Sequence, residues 1–170
     1  EYHGPSKGYL AEVMETAREL CNVHGCVDFR SGIGRDERDN IFSARHHLGE
    51  MIVQNHPDCS FLSADTAVPI SAYPEIIVQA REEVVKGGVT AYIFSHAGDG
   101  NLHLKFAGRK DNKDDWRIIN EINNRIVSKA ISLGGTATGE HGVGIGKRAF
   151  MAEEHGNSLI WMKKIKELFD

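Results

Sequence analysis

No run of apolar residues in this chain approaches the ~20 needed for a helix to cross a bilayer, so no membrane-spanning helix is expected. Cysteine is scarce: Cys21, Cys26 and Cys59 form no Cys-x-x-Cys pair. An odd count points to a reducing compartment and to buried thiols, and Cys21 falls within an apolar helix stripe. Basic residues are not in excess. The formal net charge is -4 and no basic cluster stands out, which argues against nucleic acid and against an anionic membrane surface. Internal repeats, low-complexity tracts and linkers are also missing. What remains is a globular composition, 41% hydrophobic and 26% charged over 170 residues, enough for one domain with a core.

Two phosphate-binding devices are absent as well. A P-loop needs Gly, four residues, then Gly-Lys-Ser/Thr; before Gly146-Lys147 the first position holds His141, and Arg148 follows. The Gly142-Val143-Gly144-Ile145-Gly146 spacing is wrong for a dinucleotide fingerprint. Asp111-Asn112-Lys113-Asp114-Asp115 lacks the glycine at six and the glutamate at twelve of a calcium loop. It reads better as a helix N-terminus with favourably placed negative charge.

The most informative segment present is His96-Ala97-Gly98-Asp99-Gly100-Asn101-Leu102-His103. Asp-Gly is a strong signal for a two-residue type I′ hairpin turn. With Asp99 and Gly100 in that turn, His96 opposes His103, and directly opposed Cβ atoms lie about 4.5–5.5 Å apart. Two such imidazoles can share one ion at about 2.0–2.1 Å from each nitrogen. Leu102, Leu104 and Phe106 alternate with Asn101, His103 and Lys105, the period of a half-buried strand. Val89 to Ser95 is rich in β-formers and leads into His96. The plainer alternative is a polar hairpin with two unrelated histidines.

A second segment, Gly134 to Lys147, sets glycines around Glu140-His141. Glycine permits sharp bends and close approach of a ligand. An adjacent carboxylate and imidazole there read as a third metal ligand and a general base, or else as an ordinary glycine-rich connection. Two nitrogens and one carboxylate suit Zn or Mn, and also Fe.

Apolar spacing predicts helices over Leu10–Cys21, ending at Gly25, and from Ile41 to about Asn55, with a short strand at Val27–Phe29 and a loop over Arg30–Asn40 between them. An extended run over Phe61–Pro69, a helix N-cap at Ser71 and a helix from Ile76 to Val85, stopped by Gly87-Gly88, follow. Beyond the hairpin come a helix from Asp111–Asp115 to Leu133, ended by Gly134-Gly135, and helices over Arg148–Glu154 and Leu159–Phe169. Hairpin-linked strands with helices on one face give an α+β fold, an antiparallel sheet covered by helices.

The His-x-Gly-Asp-Gly-Asn-x-His hairpin and the Thr-Gly-Glu-His-Gly loop together resemble the C-terminal domain of flavin-linked D-2-hydroxyacid dehydrogenases in the vanillyl-alcohol oxidase superfamily. Ala44-Arg45-His46, Val68-Pro69-Ile70-Ser71 and Pro74-Glu75-Ile76 resemble its D-lactate dehydrogenase branch. The likeness runs from about Leu10 to Asp170. It implies a large ferredoxin-like sheet capping a flavin domain, and a metal set of His96, His103 and Glu140. It also implies that the ion polarises the substrate hydroxyl and carboxylate, that His141 takes the hydroxyl proton, and that hydride passes from Cα to FAD. Arg45 would fork onto the substrate carboxylate, and Asn101 would hydrogen-bond substrate. Family members often carry Asn where His47 stands, which leaves that neighbourhood open. Asp65 to Pro69 holds no Lys or Arg, so a small monocarboxylate, D-lactate or glycolate, suits the chain better than 2-hydroxyglutarate.

On this reading residues 1–170 form a single C-terminal substrate domain, excised from a parent whose N-terminal domain binds FAD. The chain begins without Met or a signal peptide. The partners are the 2-hydroxy acid, that FAD domain and a downstream electron acceptor. The compartment is the bacterial cytoplasm, including the inner-membrane periphery, or the mitochondrion. Two other classes use the same residues: a free-standing two-His-one-carboxylate enzyme, hydrolase or Fe(II) oxygenase, and a non-catalytic binding domain.

Overall fold

A computed structural model describes residues 2–169, the side chain of Ala44 excepted. These residues form two compact units divided between Asn55 and His56. The first holds two helices, α1 (Lys7–Val23) and α2 (Arg35–Gln54). Ser6 caps α1 by accepting the Tyr9 N–H at 3.2 Å, which satisfies one of the donors orphaned at a helix start. Helix α2 starts earlier than the apolar pattern indicated. Asp36 and Glu37 in its first turn favour the positive end of the helix dipole, and polar Arg and Glu are good helix formers. The strand expected at Val27–Phe29 is coil, with Val27 fully exposed. The thiols are not buried either: Cys26 is exposed, and Cys21 and Cys59 are partly so.

The second unit contains β1 (Cys59–Ala67), α3 (Tyr73–Gly87), β2 (Thr90–His96), β3 (Asn101–Arg109), α4 (Lys113–Ser132), α5 (Met151–His155) and α6 (Ser158–Phe169). The strands form one antiparallel sheet in the order β1-β3-β2. The α+β class is as expected, on a sheet of three strands rather than a large one. Ser71 sits in a 3-10 turn, Ile70–Ala72, that leads into α3, and Ala72 takes the N-cap position. Gly88, at φ +64°, ends α3 in the left-handed conformation that glycine adopts without strain. Asn112 caps α4 by accepting the N–H groups of Asp114 and Asp115.

Strand periodicity divides the sheet into two unlike faces. Ala64, Leu102, Leu104 and Phe106 are buried with Ile76 and Ala80 of α3 and with Ile119, Ile122, Ile126 and Ala130 of α4. Each such aliphatic side chain contributes roughly 1.5–3 kcal/mol relative to exposure, so this face sets the register. The opposite face carries Phe61, Ser63 and Asp65 of β1, Lys105 and His103 of β3, and Tyr92, Phe94 and His96 of β2. No described helix is long and apolar enough to cross a membrane.

Candidate metal and substrate site

The hairpin does not turn at Asp99-Gly100 alone. Ala97–Asp99 make a 3-10 turn and Gly100 follows at φ +73°, so four residues separate the strands. His96 therefore opposes Asn101, and His103 opposes Phe94. The expected His96–His103 pairing is off by two residues. The cause lies outside the hairpin: the Val68 N–H donates to the Gly100 carbonyl at 3.0 Å. A Cβ on Gly100 would run into the Val68 carbonyl oxygen. Side chains alternate with a period of two, so this shift leaves both histidines on one face. They are diagonal neighbours, with ring centroids 5.4 Å apart and planes at 84°.

The glycine-rich loop reaches the hairpin through β1. Ala67 and Thr136 form a bridge, with Thr136 N–H donating to the Ala67 carbonyl at 2.8 Å. Gly135 lies so close to Ala67 that a Cβ would meet its carbonyl oxygen. Beyond the bridge, the Ala137 N–H donates to Glu154 of α5 at 2.9 Å, and Ala137 packs with Val127 and Phe150. The loop thus enters the site from a fixed point.

Glu140, His96, His103 and His141 converge there. Glu140 Oε1 lies 3.0 Å from His103 Nε2, 3.7 Å from His96 Nε2 and 3.8 Å from His141 Nε2. The His141 ring stacks on His103 at 5.1 Å between centroids and 22° between planes, and Phe94 flanks His103 at 5.5 Å. His103 is buried, while Glu140 and His141 are about half exposed. Burial pushes the His103 pKa below its ordinary value, partly opposed by Asp65 and Glu140. The neutral, ligating form is favoured.

Two groups of side chains here have the spacing of a metal site: His96, His103 and Glu140, and Asp65, His103 and His141, each with ligand atoms within 4.8 Å of one another. The hydrogen bonds favour the first. Asp65 is wholly buried. Its Oδ1 accepts from Asn101 at 2.8 Å, and its Oδ2 from the backbone N–H groups of Glu140 at 2.9 Å and His141 at 2.8 Å. Thr138 and Lys147 also donate to Oδ2. Burial alone would raise the Asp65 pKa. The donors from His141, Glu140 and Asn101, together with the Lys147 charge, outweigh it and hold the carboxyl well below the usual range. Both Asp65 oxygens are thus engaged. Glu140 Oε1 instead faces three imidazole nitrogens, so a divalent ion suits the His96, His103 and Glu140 set. Nδ1 of His103 lies 3.6 Å from Asp65 Oδ1, the side of the ring away from Glu140. Nδ1 is buried there without a hydrogen-bond partner.

Asn101 lies on the same face, with its amide nitrogen on Asp65 and its Oδ1 buried without a partner. Arg45 stands in the first unit, exposed on α2. His47, nearby on that helix, turns back to the Ser43 carbonyl at 2.8 Å. Sequence reasoning missed Asp65; for Lys147 it weighed contact with an anion and took an exposed lysine as the default. Lys147 reads as a surface lysine, yet its side chain is only 15% exposed and its Nζ reaches the Asp65 carbonyl at 2.6 Å. Burial pushes its pKa down, against the pull of Asp65. The available signal was an aspartate, a poor strand former, inside a predicted strand.

The family described as FAD linked oxidases, C-terminal domain, matches residues 1–170. The chain is 33% identical to a probable mitochondrial D-lactate dehydrogenase of Danio rerio over 100% of its own length and 34% of that protein's. It is 31% identical to the mitochondrial D-lactate dehydrogenase [cytochrome] of Kluyveromyces lactis, covering 98% of this chain and 29% of that one. Glycolate oxidase subunit GlcD of Bacillus subtilis is 29% identical over 92% of this chain and 33% of its own. The chain spans about a third of the length of these relatives. With the hairpin and the Glu140-His141 loop brought to one site, and a match over its whole length, the chain belongs to the family of C-terminal domains of FAD-linked oxidases.

Proposed function

We propose that this chain is the substrate- and metal-binding part of a flavin-dependent oxidoreductase that converts a small D-2-hydroxy acid, of the D-lactate or glycolate class, to its 2-keto acid. The convergence of His96, His103 and Glu140 within 4.8 Å, with His141 beside them, carries the reading. The donor set suits Zn or Mn. When bound, the ion supplies Lewis-acid polarisation, and FAD, held by an N-terminal domain of the parent protein, supplies the hydride acceptor, from which electrons pass to a downstream partner.

The chain's own residues do the rest. His141, half exposed beside Glu140, takes the proton of the substrate hydroxyl. Arg45 forks onto the substrate carboxylate, for which a guanidinium is better shaped than an ammonium. Asn101, on the same face, lies at the floor of the site with its nitrogen engaged by Asp65 and is the further residue proposed to hydrogen-bond substrate. Lys147 is occupied by Asp65 and so is not available to a second carboxylate, which favours a monocarboxylate over 2-hydroxyglutarate.

The test uses the full-length protein: metal analysis, then dye reduction with D- and L-2-hydroxy acids. About one ion per chain is expected, with turnover on D-lactate or glycolate that a chelator abolishes and Zn or Mn restores. Undiminished turnover without metal would sink the reading. Substrate turnover without flavin would instead favour a free-standing metal enzyme.

A further inference from the structure

We infer that Asp65 is the positioning residue of this site: its buried carboxylate, balanced by Lys147, fixes the Glu140-His141 backbone across from His103. The inference deepens the proposed function and rests on it for the identity of the residues that hold the ion.

Asp65 joins β3 to the loop that carries Glu140 and His141. It stands on β1 directly opposite His103 of β3. The consecutive N–H groups of Glu140 and His141 both donate to its Oδ2, at 2.9 and 2.8 Å. Successive backbone N–H groups closing on one anion make a concave cradle, here folded around a carboxylate of the same chain. Asn101, next to the hairpin turn, holds Oδ1 at 2.8 Å. Lys147, the far end of the same loop, closes on the Asp65 carbonyl and on Oδ2 at 3.4 Å.

Charge balance alone does not require this pattern. Lys147 would neutralise Asp65 without help from the two residues that carry the chemistry. Nor is there slack between loop and carboxylate. A Cβ on Gly139 would strike the Asn101 amide nitrogen and lie 2.6 Å from Asp65 Oδ1. Asparagine at 65 would keep the shape, but its NH2 group must then face either Asn101 or the two loop N–H groups, donor against donor. Leaving buried donors unmatched displaces them, so the Glu140 and His141 side chains would lose their common geometry.

The experiment compares three variants of the full-length protein: Asp65→Asn, the double variant Asp65→Asn with Lys147→Met, and Gly139→Ala. Three quantities are read: Zn2+ affinity by chelator competition, kcat and KM for D-lactate at saturating Zn2+, and the urea midpoint. Asp65→Asn should weaken Zn2+ binding roughly 10–100-fold, the usual effect of removing a group that orients a ligand. It should lower kcat more than KM. In the double variant the urea midpoint should recover while Zn2+ affinity and kcat stay low. Recovery of all three would make Asp65 a mere charge partner of Lys147 and overturn the inference, as would wild-type Zn2+ affinity in Asp65→Asn.

If Asp65→Asn does not fold, Gly139→Ala decides. It keeps both charges and pushes the loop off the carboxylate, so it should weaken Zn2+ binding; wild-type affinity there overturns the inference. A wild-type protein that turns over no 2-hydroxy acid, alongside weakened Zn2+ binding in the variants, would remove the proposed function and leave the positioning role standing.

Discussion

The ring of His141 lies nearly parallel to that of His103, 5.1 Å away, while its Nε2 stays 3.8 Å from Glu140 Oε1. The stack restricts how the ring can turn, and its half-exposed edge is the part a substrate can reach. Replacing His141 by Asn should lower kcat by roughly 10²–10⁴-fold, the usual contribution of a positioned base, with metal content unchanged. Steady-state turnover and metal analysis of the same preparation check this. Loss of the ion, with normal rates once metal is restored, would make His141 a ligand instead.

Glu140→Gln keeps the shape of the side chain and removes its charge. It should deplete the purified full-length protein of metal, and so should His96→Ala. The measurement is metal stoichiometry after dialysis against a weak chelator. Full occupancy in both variants would move the ion to the Asp65, His103 and His141 group.

His103 makes stability depend on pH in a definite direction. Its folded pKa lies below the ordinary 6.5 because burial disfavours the imidazolium. Between those two values the unfolded chain binds more protons than the folded one, so unfolding free energy rises with pH. The full contribution is present above 6.5 and is lost as pH falls toward the folded value. Urea titrations of chelator-treated protein from pH 5 to 7.5 should show this slope, and His103→Gln should flatten it. A slope of equal size in that variant would assign it to other groups.

Arg45→Lys should raise KM for the hydroxy acid with little change in kcat, because a lysine cannot make the bidentate fork. Unchanged KM would remove Arg45 from substrate binding.

Expressed alone, the 170-residue chain should be colourless and should not reduce dye with any 2-hydroxy acid. It carries neither of the phosphate-cradling motifs considered, and it matches about a third of each relative. A yellow, active chain would place flavin binding within these residues.

The helices were legible because their signals are local. Gly25, Gly88 and Gly134, all at positive φ, stand just past the ends of α1, α3 and α4. Val27–Phe29 misled because three alternating residues satisfy a pattern without a neighbouring strand to pair with. The histidines and Glu140-His141 could be named as candidate metal ligands and base from residue type and neighbourhood. The turn could not be drawn correctly, because its shape depends on Val68, some thirty residues earlier. The role of Asp65, and its identity as the anion that Lys147 meets, stayed hidden for the same reason. The partners of Asp65 lie 75 and 82 residues away along the chain, and no periodicity spans such a distance.

The pairing of β2 with β3, not the length of the link Ala97–Gly100, decides which side of the sheet His96 occupies. A slip of two residues between the strands leaves His96 on its present side. A slip of one carries it through to the helix-covered side, among Leu102 and Leu104, and Ser95 or Ala97 takes its place. The link can therefore vary in length as long as His96 still faces Asn101, while the loop from Gly134 to Lys147 is tied down at Ala67 and Asp65.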